Sequence, residues 1–148
     1  MKRILPERAE ALANGLVDIG QAAQASGVST KMIRHYEEIG LLKGIARTAA
    51  NYRLYGEQQV HTLRFIKRSR TLGFSIEEIR ELLGLWQDRR RSSASVRKIA
   101  ARHIDELQAK IGELQGMVNT LQHLVHCCSG DDRPECPILD DLSGHSAT

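Results

Sequence analysis

The chain has 148 residues, of which 41% are hydrophobic and 26% are charged, with a formal net charge of +3. This length suits one small domain plus an assembly element and is short for an enzyme with a deep pocket. The composition is typical of a soluble globular protein. No apolar run reaches the roughly 20 residues that a spanning helix needs, and the N-terminus has no continuous signal-peptide stretch. We therefore expect a cytoplasmic protein.

The charge is divided unevenly along the chain. Residues 1–92 contain 16 Lys and Arg against 10 Asp and Glu, a net charge of +6, whereas residues 93–148 have a net charge of −3. A basic front half and an acidic rear half predict that the front half binds a polyanion and that the rear half has another role.

The first elements predict a helix-turn-helix. Residues 17–24 have the apolar spacing of a short amphipathic helix, and Gly27 lies in the turn that follows. Ser29 is a suitable N-cap for a second helix over residues 30–39, which Gly40 ends. Two short helices joined by a glycine-containing turn are typical of this motif.

The next segment loses helical periodicity and then regains it. Residues 41–58 combine strand formers, turn formers and cations, which predicts a small β-hairpin, or wing. Helical spacing returns over residues 57–72, and Gly73 stops that helix. Ser75 followed by Glu78 forms a capping box that opens a further helix through Trp86. These two helices are expected to form the core of the domain.

The rear half contains one long heptad pattern. Apolar residues alternate in steps of four and three at Ile104, Leu107, Ile111, Leu114, Val118, Leu121 and Val125. This repeat predicts a helix of about 35 residues, roughly 50 Å long, packed along a narrow stripe. No other segment can cover that length, so the expected partner is the same helix of a second copy. The alternative is a helix that packs back on its own domain.

Three cysteines lie close together after this helix: Cys127, Cys128 and Cys136. A tight, odd-numbered cluster favours metal or redox chemistry over a disulfide framework. Cys128 and Cys136 can close a loop that brings two sulfurs together. Two thiolates are too few for a closed structural zinc site but suit a linear soft monovalent ion, namely Cu(I), Ag(I) or Au(I). Because Cys127 is adjacent to Cys128, one of the two is expected to stand outside the site.

Two other interpretations of the cluster stay open. A zinc site would recruit further ligands from His123, His126, Asp131, Asp132 and Glu135. A redox sensor would instead use Cys128 and Cys136 as a reversible disulfide. A metal carrier or small thiol enzyme is a rival from another class, but the sequence has no nucleophile–base pair, phosphate-binding glycine loop or paired-carboxylate motif. We therefore expect no enzymatic activity.

Several runs resemble the MerR family of transcription regulators, and within it the CueR-like copper sensors. These are IRHYEEIGLL at residues 33–42, NYRLY at 51–55, CSGDD at 128–132 and CPI at 136–138. The resemblance extends from residue 17 to about residue 143. It departs in the leader of about 16 residues, in the extra Cys127, and in Asn51, which replaces a glycine in the wing and tolerates positive φ.

The resemblance implies a mainly α protein in which a winged helix-turn-helix DNA-binding domain precedes a long antiparallel coiled-coil dimerisation helix and a C-terminal metal-binding loop. The corresponding divisions are residues 1–16, 17–88, 89–126 and 127–148. It implies a homodimer that binds double-stranded promoter DNA, acts on RNA polymerase indirectly, and activates efflux or detoxification genes when Cys128 and Cys136 bind Cu(I), Ag(I) or Au(I).

The resemblance also assigns individual residues. The matching DNA contacts are Thr30, Lys31, Arg34 and Tyr36 on the second helix, Arg47, Tyr52 and Arg53 on the wing, and Arg70. Ser93 matches the position where divalent-metal members carry a third cysteine at the start of the partner's long helix. Without that thiolate a two-coordinate site remains. On its own, Ser93 would be interpreted as a helix N-cap.

Overall fold

A computed structural model describes residues 15–128, 130 and 135–144, which divide into two compact units at residues 96 and 97. The elements are helices with one two-stranded sheet, so the predicted mainly α class is confirmed. In chain order they are α1 Ile19–Ser26, α2 Thr30–Glu38, β1 Ala46–Arg47, β2 Arg53–Leu54, α3 Glu57–Thr71, α4 Ile76–Gln87, α5 Ser93–Cys127 and α6 Pro137–Leu142. Across the described residues, no helix has the length and apolarity of a membrane span.

The first helix begins two residues later than predicted. Asp18 caps α1: its Oδ1 accepts from the N–H of Gln21 at 2.8 Å, and the Gln21 side chain accepts from the N–H of Asp18. Val17 lies outside the helix and pairs with Tyr55 in a β-bridge. The capping box fixes the helix start, so the prediction that residue 17 is helical is wrong.

The second helix has the predicted cap. Ser29 Oγ accepts from the N–H of Met32 at 3.2 Å, and α2 ends one residue earlier than expected, with Ile39 as its C-cap. Gly40 follows with φ of 78°, a left-handed conformation that glycine adopts without steric cost.

The wing is present as predicted. Strands β1 and β2 pair antiparallel, with Ala46 opposite Leu54 and Arg47 opposite Arg53. The connecting turn places Asn51 at φ of 69°, where its N–H donates to the carbonyl of Thr48. Asparagine is among the few residues that tolerate this region, so the expectation that the turn survives without glycine is confirmed.

Helices α3 and α4 supply much of the core. Leu63, Ile66 and Ile79 are fully buried, and the rings of Phe65 and Trp86 stack at 4.7 Å. The predicted capping box of α4 is also present, with Ser75 and Glu78 hydrogen-bonded in both directions. The same core includes Ile33, Leu54 and Tyr55, so α2 and the wing rest on a packed base.

The long helix α5 spans 35 residues, as the heptad pattern predicts. Its N-cap is Ser92, whose Oγ accepts from the N–H of Ser95 at 3.3 Å, and Ser93 is the first helical residue. The interpretation of Ser93 as the cap is therefore wrong by one position. Helix α6 was not predicted; Pro137 occupies its first position, where the missing N–H costs no hydrogen bond.

Candidate nucleic-acid interface and metal centre

Helix α2 has one face in the core and one face in solvent. Ile33 and Tyr36 are buried, whereas Lys31 and Arg34 are exposed and Thr30 is half-buried at the helix start. Because positions 30, 31 and 34 lie on neighbouring turns, their polar ends share one side of the helix. This face carries two positive charges on a rigid helix. A helix that enters a DNA groove needs such a rigid, positively charged face.

A cleft of about 310 Å³ lies between this helix, the start of α1 and the wing. Arg34, Tyr52 and Arg53 line it together with Asp18. Tyr52 is 64% exposed, although its backbone N–H is held by Thr48 Oγ1 at 3.0 Å. Two arginines and a tyrosine therefore line one concave surface beside Asp18, and their donor groups suit phosphate oxygens.

Glu37 connects the wing to α2. Its Oε2 lies 2.7 Å from Arg53 Nε, in an ion pair without hydrogen-bond alignment, and its Oε1 lies 3.4 Å from an Nη of Arg47. The other Nη of Arg47 donates to Asn51 Oδ1 at 3.1 Å. One carboxylate thus holds both predicted wing cations. Sequence reasoning missed Glu37, and the only available signal was an acidic residue within a basic motif.

Tyr55 lies beneath this surface. Its side chain is fully buried, and its Oη has no hydrogen-bond partner among the described residues. Burial, followed by the Glu37 carboxylate, raises the pKa of the phenol above its ordinary value of 10.0, against the opposing effect of Arg53, Arg34 and Arg47. The phenol is therefore a neutral part of the core, and its pKa depends on the charged groups above it.

Two predicted contacts have restricted positions. Tyr36 is only 5% exposed, so most of its ring belongs to the core. Arg70 is exposed, but one Nη donates to the carbonyl of Phe74 at 3.1 Å and closes the turn after α3. The DNA contacts assigned to these two residues, like those assigned to the other six, stay predictions.

Other cations of the front half also hold helix ends. Arg64 Nε donates to the carbonyl of Ala25 at 3.0 Å, and an Nη of Arg80 donates to the carbonyl of Ile39 at 2.7 Å. Each arginine satisfies a carbonyl at the end of a helix. The net charge of the front half therefore overstates the number of cations with their donors free for a polyanion.

The two candidate metal ligands flank the predicted loop. Cys128 directly follows α5 and donates its N–H to the carbonyl of Leu124 at 3.0 Å. Cys136 directly precedes α6, and its backbone carbonyl accepts a hydrogen bond from the N–H of Asp140 at 3.0 Å. Both are half-buried free thiols. The predicted zinc ligands Asp131 and Asp132 lie outside the described residues, as do the leader residues 1–14 and residues 129, 133–134 and 145–148.

The chemistry of these two groups fits a soft cation. A helix C-terminus carries partial negative charge, which favours a cation beside Cys128 at the end of α5. Of the further ligands considered for zinc, His123, His126 and Glu135 are exposed. Ser93, at the start of α5, is exposed and offers a hydroxyl rather than a thiolate.

Comparison with known proteins identifies the family of the chain. The family model "MerR HTH family regulatory protein" matches residues 17–85, and "MerR, DNA binding" matches residues 60–124. The chain is 53% identical to "Heavy metal-dependent transcription regulator 2" of Rhizobium meliloti (strain 1021), over 88% of this chain and 89% of that protein.

The chain belongs to the MerR family. It is therefore a DNA-binding transcription regulator, and members of this family bind promoter DNA as dimers. In this MerR protein, α1 and α2 form the helix-turn-helix. The exposed heptad stripe of α5 is the surface that the sequence predicts for dimerisation.

Two further proteins are similar to this MerR protein, one in sequence and one in fold. It is 39% identical to "HTH-type transcriptional regulator CueR" of Salmonella typhimurium (strain LT2), over 86% of this chain and 93% of that protein. Its fold is similar to that of the transcription regulator PbrR691 of Ralstonia metallidurans CH34, solved in complex with lead(II), with a TM-score of 0.75 and 32% identity over 85% of this chain and 98% of that one.

Proposed function

We propose that this protein is a metal-responsive transcription activator whose effector is a soft monovalent ion, Cu(I), Ag(I) or Au(I), bound by Cys128 and Cys136. It would switch on copper, silver or gold efflux or detoxification genes. Its relatives in the MerR family include proteins named as heavy metal-dependent regulators, which supports a metal effector. The choice of a monovalent ion depends on the two thiols alone.

The observation that carries this proposal is the donor set. Cys128 and Cys136 are half-buried thiols at the two ends of one short segment, and Ser93 supplies no third thiolate. Two thiolates complete the coordination of a linear d¹⁰ monovalent ion, whereas a tetrahedral Zn(II) ion needs additional ligands. A hydroxyl in place of a thiol thus favours the monovalent ions.

The DNA side of the proposal uses the exposed face of α2 and the wing. Lys31 and Arg34 would enter the major groove with Thr30. Arg47, Tyr52 and Arg53 would hold the phosphate backbone beside the groove. Tyr36 and Arg70 complete the proposed set, Tyr36 from the edge of the core and Arg70 from the end of α3.

Activation requires that the loop and the DNA-binding unit be coupled. The family resemblance supplies the proposed form: the dimer binds a promoter with an overlong spacer and, once loaded, distorts the DNA so that RNA polymerase can engage it. Such coupling between two sites typically amounts to about 1–3 kcal/mol. Apo and loaded protein would then bind the same promoter with similar affinity but bend it differently.

The test is promoter transcription with Cu(I), Ag(I), Zn(II) and Hg(II) at matched free-ion concentrations. Only the monovalent ions should activate the wild type, and Cys128→Ser should abolish activation while DNA binding is retained. Activation of the wild type by Zn(II) at a comparable free concentration, or a full Cu(I) response in Cys128→Ser, would overturn the proposal.

A matched pair of variants isolates the selectivity residue. Ser93→Cys should extend the response to Zn(II) or Hg(II), because it restores the missing thiolate. Ser95→Cys adds the same thiol two positions along α5 and should leave the selectivity unchanged. An equal response of both variants would show that the position of the thiol does not matter and would remove the role of Ser93.

Redox sensing on the same scaffold is the main alternative, because Cys128 and Cys136 are both free thiols. Titration under anaerobic, reducing conditions separates the two functions. A Cu(I) response that persists with both thiols reduced excludes an obligatory disulfide switch. Loss of the response under these conditions, with recovery after oxidation alone, would favour the redox sensor.

A further inference from the structure

The third cysteine forms a pair with a histidine one helical turn earlier. Cys127 and His123 occupy positions i+4 and i on α5, and Cys127 Sγ lies 3.7 Å from His123 Nε2. Both side chains are exposed. Thus two donor atoms with affinity for the same ions are already close to each other on a rigid element.

The pair lies on the opposite side of α5 from the heptad stripe. His123 follows Leu121 by two residues, and Cys127 follows Val125 by two residues. A step of two residues is a rotation of about 200° around an α-helix. A partner helix that covers the stripe therefore leaves His123 and Cys127 in solvent, accessible to an incoming ion.

We propose that His123 and Cys127 form a second metal site, separate from Cys128 and Cys136, for a divalent ion of borderline softness such as Zn(II). The sulfur and nitrogen ligands of a tetrahedral zinc ion, at about 2.3 Å and 2.0–2.1 Å from the metal, lie about 3.5 Å apart. The observed separation of 3.7 Å is close to this edge. The ion displaces the thiol proton to solvent, and water completes the coordination.

The position on the helix supports a cation in two ways. The site lies in the last turn of α5, where the unsatisfied carbonyls favour positive charge. In addition, Cys127 is the last residue of α5, whereas Cys128 follows the helix, so each proposed site uses its own cysteine. A divalent ion can therefore bind to Cys127 without removing a ligand from the proposed monovalent site.

The site is tested with Co(II), which reports thiolate ligation through charge-transfer absorption. The background is full-length, reduced Cys128→Ser/Cys136→Ser protein, so that Cys127 is the one thiol left in the chain. Co(II) should give the charge-transfer band, and Zn(II) should displace it. Adding Cys127→Ser should remove the band, and adding His123→Ala should weaken Co(II) binding at least about tenfold.

His126→Ala is the matched control, because His126 is an exposed histidine in the same turn and the same atoms are removed. It should leave the band and the affinity unchanged. A band that survives with full affinity in His123→Ala, or one that depends on His126 instead, overturns the assigned pair. Since the test involves neither DNA nor monovalent ions, its outcome is independent of the proposed sensing function.

Discussion

The front and rear of this chain use the same kinds of apolar residue in opposite ways. In the front unit, Ile33, Ile66 and Ile79 are completely buried within a single chain. In the rear unit, Ile104 and Ile111 of the heptad stripe are 53% and 64% exposed. The front unit therefore buries its core within one chain, whereas the rear helix presents an apolar surface that requires a partner.

This difference separates two kinds of stability. Burial within one chain contributes to folding at any protein concentration, while burial between two chains depends on concentration through mass action. Each promoter requires two front units held together, so the affinity for DNA depends on both kinds. Substitutions chosen from the two regions should therefore produce different signatures, because only those in the heptad stripe should depend on protein concentration.

The strongest test places a charge in the heptad stripe. Val118→Asp should weaken the dimer about 1,000-fold, which corresponds to about 4 kcal/mol, because two carboxylates would be buried at the interface. Sedimentation equilibrium measures the loss of dimer, and operator binding should fall with it. Thr120→Asp adds the same charge on the opposite side of the helix, starting from another β-branched residue, and should leave the dimer intact.

Equal weakening by Val118→Asp and Thr120→Asp would show that the effect arises from charge on the helix rather than from the stripe. No weakening by either would mean that α5 is not the dimer surface. Either result would break the comparison between the two regions.

The second test makes the same truncation in each region. Ile66→Ala should lower the free energy of unfolding of the front unit by about 2–5 kcal/mol, independent of protein concentration, because it leaves a cavity in a closed core. Ile111→Ala should act mainly through the dimer, so its effect on thermal unfolding should be smallest at low protein concentration, where little dimer forms, and should grow as the concentration rises. Calorimetry over a hundredfold concentration range measures both, and a concentration-independent loss for Ile111→Ala would contradict the assignment.

Much of this contrast could be predicted from the sequence, because it depends on local and periodic patterns. Ser29, the pair Ser75 and Glu78, and Gly40 mark helix ends through contacts within a few residues. The heptad repeat predicts the length of α5. Local signals of this kind can be predicted from a single sequence.

What the sequence did not predict depends on contacts between distant residues. The β-bridge between Val17 and Tyr55 accompanies a start of the first helix two residues later than predicted, and the ion pairs of Glu37 join α2 to the wing. The roles of Arg64 and Arg80 as helix-end donors are equally non-local. Each requires that the fold be known, since any one of these residues alone is an ordinary surface or helix residue.

The third test concerns the carboxylate that fixes the positions of the wing cations in the front unit. Glu37→Gln removes the carboxylate that pairs with Arg53 and Arg47, so the wing cations lose their fixed positions and operator affinity should fall about tenfold. Glu38→Gln removes the same charge from the next, exposed residue of α2. It should leave affinity unchanged or raise it slightly, because a negative charge near DNA is lost.

Fluorescence anisotropy with operator and unrelated DNA measures this effect and separates positioning from net charge. Loss of positioning should reduce specific binding more than non-specific binding. An affinity gain for both Glu37→Gln and Glu38→Gln would show that Glu37 acts only as a negative charge.

The smallest expected effect concerns the base of the wing. Tyr55 keeps its proton in the folded state because burial and Glu37 raise its pKa, whereas the unfolded chain ionises near pH 10. The unfolded state therefore gains stability as the pH rises above about 10, and the fold loses it.

Tyr55→Phe should reduce this alkaline loss while changing the stability at pH 7 by less than about 1 kcal/mol, because the hydroxyl has no partner among the described residues. Tyr52→Phe, which removes the hydroxyl of a phenol that is 64% exposed, is the matched control for the substitution. Urea unfolding at pH 7 and above pH 10 measures both variants. A wild-type pH profile in Tyr55→Phe would show that the phenol is not held neutral beneath the wing, and the front unit would then be less closed than its burial indicates.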